Sequence, residues 1–350
     1  MTFSDDAAVD LLASLLRTPS PCGAEDAVAR VLLDAMRDAG FEAGRDEVGN
    51  VIGSTGPVGR HEVVILGHMD TVPGVIPVDI RDGSLYGRGS VDAKGPLATG
   101  VVAAARAAQH AQVRLTVIGA VQEEGSSVGA RHLRPRPAPD FLIIAEPGGW
   151  EGVVLGYKGS QRFTVRIVQP SAHSAGREPS APEHAVRFWN NLVFWCAQQR
   201  PEAKDSFNSL TATLIGMSSS GDGLRDEACL HIGLRLPPGI ALESVREGVR
   251  SLLPHAEFEF STGEEAIRGG KSNALVAAFL RAIRSEGGAP RFKMKTGTSD
   301  MNVVGPAWQC PLLAYGPGDS RLDHTPDEHV PVEEYLRAIR ILTGVLKELR

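Results

Sequence analysis

This chain of 350 residues has few of the features that would direct it to a membrane, a nucleic acid or an oxidising compartment. Its four cysteines, Cys22, Cys196, Cys229 and Cys310, lie far apart, with no Cys-x-x-Cys pair. That spacing excludes a tight disulfide framework and predicts reduced thiols in a cytoplasmic protein. No apolar run approaches the roughly 18 residues of a membrane span. Residues 1–6 carry neither a basic segment nor an apolar one, so no secretory signal is expected. The formal net charge is -6, with no basic tail and no aromatic-basic stripe, which argues against general nucleic-acid binding. Lysine is scarce: 7 of the 36 basic residues are lysine and 29 arginine, a skew that reads as genome composition rather than function.

What is present is an ordinary globular composition, 42% hydrophobic and 22% charged, in a chain long enough for two domains. Helical periodicity through Val9, Leu11, Leu12, Leu15 and Leu16, then Ala27, Val31, Leu32 and Met36, predicts two helices. Ser4 and Asp5 suit the first cap, and Gly40 suits a helix end. Apolar runs at 63–66, 115–121 and 141–145 alternate with Gly-rich turns and an alanine-rich helix at 93–110. Strands alternating with helices predict an α/β sheet covered on both faces. The pattern changes near Tyr157-Lys158-Gly159. Strand 161–168, helix 181–199, strands 209–215 and 228–236, helix 241–253 and strand 256–260 follow, a β-α-β-β-α-β order that predicts a ferredoxin-like α+β unit. Helix 272–286, strand 311–315 and a closing helix at 332–349 resume the first style. The expected organisation is one discontinuous domain, 1–158 with 265–350, interrupted by a small domain of 159–264.

The chemistry begins at Gly67-His68-Met69-Asp70-Thr71-Val72-Pro73, directly after Val63-Val64-Ile65-Leu66. A buried strand thus ends by projecting an imidazole and a carboxylate from one face. Both are common ligands of a catalytic zinc. Asp92 follows at a Gly-rich bend entering a helix, and Glu123-Glu124 and Glu146-Pro147 each follow a strand. His173 sits in Ser171-Ala172-His173-Ser174, within the inserted unit, and His324 in Asp323-His324-Thr325-Pro326-Asp327, before the last helix. In an open α/β sheet ligands gather beyond the carboxyl ends of the strands, so these groups are expected to converge. Carboxylates this dense repel one another unless cations neutralise them. His68, Asp92, Glu124, Glu146 and His324 suit two divalent ions sharing one carboxylate, able to hold a hydroxide and polarise a carbonyl. Glu123 is then the free carboxylate for general-base duty. The plainer alternatives are a turn cap for Glu146, a surface position for His324 and an ordinary loop for His173.

Together with Gly87-Arg88-Gly89, Lys94-Gly95, Gly159 and Ala172-His173-Ser174, these motifs resemble the M20 metallopeptidases and deacylases. That family includes acetylornithine deacetylase, succinyl-diaminopimelate desuccinylase and aminoacylase. The resemblance spans essentially the whole chain. It implies a three-layer, zinc-peptidase-like α/β catalytic domain, with the inserted ferredoxin-like unit as lid and dimerisation domain. It implies two Zn2+ per subunit, or Co2+ in their place: one ion held by His68 and Glu146, the other by Glu124 and His324, with Asp92 bridging. Asp70 then orients the His68 ring, Glu123 moves a proton from water to the leaving amine, and the peptide after Asp92 is cis. In the implied homodimer, His173 reaches the partner's site and stabilises the oxyanion. Arg235, in Leu234-Arg235-Leu236-Pro237, matches a lid arginine that binds a substrate carboxylate; its other reading is an ion pair inside the lid. Thr298 and Ser299 match a Gly-Thr-Ser-Asp loop that lines the substrate pocket.

Segments 90–97, 123–131 and 295–302 look closest to a narrower group within the family. Its members release lysine, with related activity toward ornithine, from an acidic amino-group carrier protein in lysine and arginine biosynthesis. One departure stands out. Many relatives carry an Asn-x-Ile-Pro run ahead of the lid strand, where this chain reads Gly221-Asp222-Gly223-Leu224-Arg225-Asp226. The asparagine that assists the substrate carbonyl is absent, and Asp222 or Arg225 is the expected replacement. Two readings stay open beside this one. The same chemistry could serve small N-acetyl or N-succinyl amino acids or dipeptides, or the chain could be a metal-binding scaffold without turnover.

Overall fold

Val63, Val64, Ile65 and Leu66 point alternately to the two faces of their strand, yet none is more than 4% exposed, so both faces are covered. Unbroken apolar runs of this kind belong to the parallel centre of a sheet. The structure is a computed structural model that describes every residue except 1, 2, 60, 174 and 177. In it the strands Arg114–Ala120, Glu62–His68, Phe141–Ile144 and Leu312–Ala314 lie side by side in that order, all parallel. Antiparallel strands flank them: Val51–Thr55 and then Glu42–Arg45 on one side, Gly152–Tyr157 on the other.

Helix Lys94–Ala107 is buried along its whole length except at Arg106. It packs on Glu62–His68 and Arg114–Ala120, and helices Asp5–Arg17 and Val332–Glu348 pack on it in turn. Only small residues permit so close an approach. A Cβ on Gly100 would stand 2.8 Å from Ile65 Cγ2. The first helix starts where expected, with the Ser4 hydroxyl accepting from the Ala7 N–H at 3.1 Å. Gly40, at φ +86°, follows the second helix, Asp26–Asp38.

The inserted segment forms its own sheet, in the order Thr211–Gly221, Arg225–Leu236, Gly159–Pro170, Glu257–Phe260, with every neighbouring pair antiparallel. Buried and open positions alternate along Gly159–Pro170, the mark of a strand with one packed face. Phe163, Val165, Ile167, Leu230, Ile232 and Leu234 form a core with Phe188, Leu192 and Val245 of helices Ala181–Gln199 and Leu242–Ser251. This is the β-α-β-β-α-β unit of a ferredoxin-like fold.

The chain divides into two compact units, Met1–Gly156 with Gly269–Met294 and Ser299–Arg350, and Tyr157–Arg268 with Lys295–Thr298. The expected boundaries gave 295–298 to the larger domain. Hydrogen bonds put this short segment in the smaller one: the Lys158 N–H donates to the Lys295 carbonyl at 3.1 Å, and the Thr298 hydroxyl donates to the Lys158 carbonyl at 3.3 Å. Several short elements carry no clear periodicity and emerge only from the fold. They include the Glu42–Arg45 and Val51–Thr55 hairpin, helix Asp300–Trp308, and a three-stranded sheet of Asp79–Arg81, Ser84–Tyr86 and His329–Pro331. Among the described residues no helix is long and apolar enough to cross a membrane.

The hairpin has a task at the sheet's carboxyl end. Asn50, fully buried, accepts from the Val121 N–H at 3.1 Å and donates to the Gly129 carbonyl at 3.1 Å, so it closes the loop that carries Glu123 and Glu124. Asn50→Ala leaves the buried Val121 N–H without this partner, at about 1–3 kcal/mol, and removes the tie to the Gly129 carbonyl, which keeps only its helical bond. The expected outcome is a loss of roughly 2 kcal/mol or more, read as a lower urea midpoint at unchanged slope.

Candidate metal centre

His68 ends its strand opposite Ala120 of one neighbour, and Leu66 stands opposite Ile144 of the other. Three parallel strands therefore deliver His68, the Glu123-Glu124 loop and Glu146 to one sheet edge, the carboxyl end where α/β proteins bind ligands. Asp92 arrives from the bend before helix Lys94–Ala107, and its peptide bond to Ala93 is cis. His324 arrives from the loop between the short 3-10 turn Ser320–Leu322 and strand His329–Pro331, at φ +63°. That strand pairs with Ser84–Tyr86, just ahead of the Asp92 bend.

Two donor sets result: His68, Asp92 and Glu146, and Asp92, Glu124 and His324. His68 Nε2 is 3.1 Å from Asp92 Oδ1 and 3.6 Å from Glu146 Oε1. His324 Nε2 is 3.0 Å from Asp92 Oδ2 and 2.9 Å from Glu124 Oε1. Ligands about 2.0–2.2 Å from one tetrahedral zinc stand ~3.4 Å from each other, so both sets fit a divalent cation. The tautomer of His68 adds to this. Its Nδ1 lies 2.9 Å from the Asp70 carbonyl oxygen, which can only accept, so Nδ1 carries the hydrogen. The neutral ring then turns the Nε2 lone pair toward the Asp92 carboxylate. Two acceptors face each other, and a positive species between them, proton or metal ion, removes the conflict.

The Asp70 carboxylate organises the neighbouring loop. Its Oδ1 accepts from the Glu123 N–H and its Oδ2 from the Glu124 N–H, both at 3.0 Å, and it is fully buried. Burial alone would push the Asp70 carboxyl up, but His68 and these two N–H groups hold it below its ordinary value. Burial likewise works against charge on His68, and contact with Asp70 and Asp92 overrides it, raising the imidazole well above its usual range. Hydrogen bonding to Asp92 lifts His324 to about 9. Burial tends to raise Asp92, but the two imidazoles at its oxygens hold it low. Glu124 is raised by burial and by Asp92. Glu123 belongs to neither donor set. Burial, with the charges of Asp300, Glu146 and Asp92 adding to it, raises its carboxyl well above the ordinary range.

A third group, Cys22, Glu25 and Asp70, is just as close-set, but its donors are committed elsewhere. Both Asp70 oxygens are taken by backbone N–H groups, and Glu25 Oε1 accepts from the Gly23 and Gln122 N–H groups. Burial and Asp70 push the Cys22 thiol up to about 12, which keeps it from being a thiolate ligand.

Two acids near the centre escaped the sequence reading. Asp300, 2% exposed at the start of helix Asp300–Trp308, is pushed up to about 7 by burial and by Asp70, against the pull of His68. Its only sequence signal is that it follows the Thr298-Ser299 loop. Glu328 is fully buried and bonded to the Asp92 bend; nothing but its place four residues after His324 hints at this.

The remaining predicted residues lie outside this cluster of ligands. In the smaller unit, Arg235 Nη1 donates to the Thr298 hydroxyl at 2.7 Å. Arg235 lines a pocket of about 360 Å³ with Lys158, Ser206, Thr211, Thr296 and Gly297. Ser299, expected in a substrate pocket, is 2% exposed, and its hydroxyl caps helix Asp300–Trp308 by accepting from the Met301 N–H at 3.2 Å. The Asp222 carboxylate closes its own hairpin, accepting from the Leu224 and Arg225 N–H groups at 2.8 and 2.7 Å. That local duty accounts for an acid there without a substrate. Arg225 opens the strand Arg225–Leu236 and is exposed. His173 lies in an exposed turn where its Nδ1 accepts from the Ala175 N–H at 3.1 Å; Ser174 of the same motif is outside the described residues.

Comparison with known proteins follows the same line. The model of Peptidase family M20/M25/M40 matches residues 64–348. A LysW-lysine hydrolase from Deinococcus radiodurans is 45% identical, over 100% of this chain and 99% of its own length. A putative LysW-lysine/LysW-ornithine hydrolase from Pyrococcus furiosus is 37% identical, over 99% and 98%. The solved structure of Sso-CP2, an M20 family metallo-carboxypeptidase from Sulfolobus solfataricus, shares the fold, with a TM-score of 0.80 at 18% identity across 97% of this chain and 98% of that one.

Asp70→Asn tests the organising carboxylate. The amide has one acceptor oxygen for two N–H donors, so one end of the Glu123-Glu124 loop meets a donor instead. The expected outcome is a loss of about 10–100-fold in metal affinity, measured by chelator competition on a protein with unchanged circular dichroism.

Proposed function

The chain belongs to peptidase family M20/M25/M40, and on that premise we propose that it is a two-cation amide hydrolase that releases lysine, and secondarily ornithine, from the carrier protein LysW. The observation that carries the reading is the arrangement at Asp92. Each of its oxygens faces an imidazole Nε2, with a glutamate completing each set, while Glu123 stands in neither. A passive cation scaffold has no use for such a free carboxylate.

His68, Glu146, Glu124, His324 and the shared Asp92 would hold two divalent cations, which would supply Lewis acidity toward the substrate carbonyl and the attacking water. Zinc is the expected ion, and cobalt suits the same nitrogen and oxygen donors. Glu123 takes a proton from the water as its oxygen adds to the acyl carbon. It returns that proton to the nitrogen as the C–N bond breaks, so the amino acid leaves as a free amine and the carrier keeps a carboxyl group. Asp70 keeps the His68 ring and the Glu123 backbone in place throughout.

The pocket of Lys158 and Arg235 supports a subsite for the free α-carboxylate of the departing amino acid, with Thr298 steadying the guanidinium. In the smaller unit Phe194, Ile215 and Leu224 are 68, 59 and 80% exposed, and strand Thr211–Gly221 has one free edge. Exposed apolar groups and a free edge support a homodimer through this lid, in which the partner's His173 completes the oxyanion site. An acidic carrier needs a local basic rim on this net-negative chain; exposed Arg134 and Arg136, shortly after Glu124, supply one. The four free cysteines support a cytoplasmic location.

A side-by-side assay of the zinc-loaded protein tests the reading, with LysW-linked lysine set against N-acetyl-lysine, N-acetyl-ornithine and a dipeptide. Strong preference for the carrier-linked amide is expected; equal or faster turnover of the small amides would make this a general deacylase instead. Glu123→Gln is expected to lower kcat about 10²–10⁴-fold while both cations stay bound, which separates an enzyme from a scaffold.

A further inference from the structure

The two donor sets are not held with equal rigidity. His68 ends a parallel strand inside the sheet ladder, and Glu146 follows another by two residues, directly after the Ala145 N–H that donates to the Leu66 carbonyl at 2.7 Å. His324 is half-exposed on an irregular loop, at a positive φ that a non-glycine residue adopts only under constraint. Something must hold that loop against the Asp92 bend.

The contacts between the two loops are reciprocal. Glu328, from the His324 loop, is fully buried and reaches into the Asp92 bend. Its Oε1 accepts from the N–H groups of Gly89, Val91 and Asp92, each at 3.0 Å. Arg88, from the Asp92 bend, reaches back the other way. Its Nη1 donates to Glu328 Oε2 at 2.7 Å and to the carbonyl of Thr325, the residue after His324, at 3.0 Å. The Gly87 N–H donates to the Glu328 carbonyl at 3.3 Å, and the pairing of Ser84–Tyr86 with His329–Pro331 continues the seam. Each loop thus grips the backbone of the other beside its metal-binding side chain.

We infer that Arg88 and Glu328 are a pair of positioning residues that set the Asp92–His324 spacing, and that the affinity of the Asp92, Glu124 and His324 site depends on them more than that of its neighbour does. The inference rests on the two-cation reading. Neither residue touches a cation or substrate; both act through the backbone of residues that do.

The test is cation stoichiometry and affinity by chelator competition, on the full chain stripped and reloaded with Zn2+. Wild-type protein is expected to bind two equivalents; fewer would defeat the two-cation reading itself. In Glu328→Gln the amide oxygen still serves the three N–H groups, but its NH2 meets the Arg88 donor. In Arg88→Met the stem stays and the donors go. Both are expected to weaken one site about 10–100-fold and to leave the other within about threefold. Adding Glu328→Gln to His324→Ala, which already lacks the Asp92, Glu124 and His324 site, is expected to leave the remaining site unchanged. Two equally weakened sites, two unchanged sites, or a further loss in the double variant would each overturn the proposal. If Glu328→Gln fails to fold, judged by circular dichroism, Arg88→Met decides the question alone.

Discussion

The Asp70 carboxylate is the contact on which the centre depends. It lies at the end of a parallel strand, fully buried, where an isolated charge is costly. His68 and two backbone N–H groups offset that cost, and each is itself part of the site. The carbonyl of the same residue fixes which nitrogen of His68 faces Asp92. Its two oxygens fix the direction of Glu123 and Glu124, one a free carboxylate and the other a cation donor. One residue therefore decides the tautomer of a ligand and separates two adjacent glutamates into different roles.

The rest of the larger unit serves that arrangement. The parallel strands bring His68, Glu124 and Glu146 to a common edge with the stiffness of a sheet. Asp92 and His324 come from loops, and loops need fastening. Lys94, buried two residues after Asp92, donates to the Leu15 and Thr18 carbonyls at the end of helix Asp5–Arg17, which secures one side of the bend. Glu328 and Arg88 secure the other. Lys94 and Glu328 are tolerated this deep because their charged atoms are hydrogen-bonded, and such a network also specifies one geometry.

The smaller unit applies the same physics to a different end. Lys158 and Arg235, two cations, line one pocket, and burial together with the Arg235 charge lowers Lys158 to about 8. Lys158 Nζ donates to the Ser206 and Ser209 carbonyls at 2.7 and 2.6 Å, and Arg235 to the Thr298 hydroxyl, so backbone and hydroxyl oxygens help to steady both groups. A pocket lined by two cationic side chains is suited to a carboxylate.

Much of this was legible in the sequence, for identifiable reasons. Residues 63–66 announced a buried parallel strand because every position is apolar, and the His68-x-Asp70 spacing announced a shared face because strands repeat with period two. The β-α-β-β-α-β order was readable for the same reason, since elements of that length carry strong periodicity. Ser299 and Asp222 show the limit: residue type suggested substrate contact, while their partners are N–H groups of their own turns. Local bonds of that kind leave no trace in a motif.

The sequence by itself determined which residues could bind cations and at which strand ends they stand, because periodicity and side-chain chemistry are local properties. Asp92 as the shared carboxylate and Glu123 as the free one were expectations, but only the tertiary structure decided that each Asp92 oxygen faces an imidazole, that Asp70 holds Glu123 and Glu124 by their backbone, and that Glu328 clasps Arg88. Each of these depends on where loops more than twenty residues apart come to rest, up to 240 positions for Arg88 and Glu328. Those positions follow from the packing of the whole sheet and its helices, which no single stretch of the chain contains.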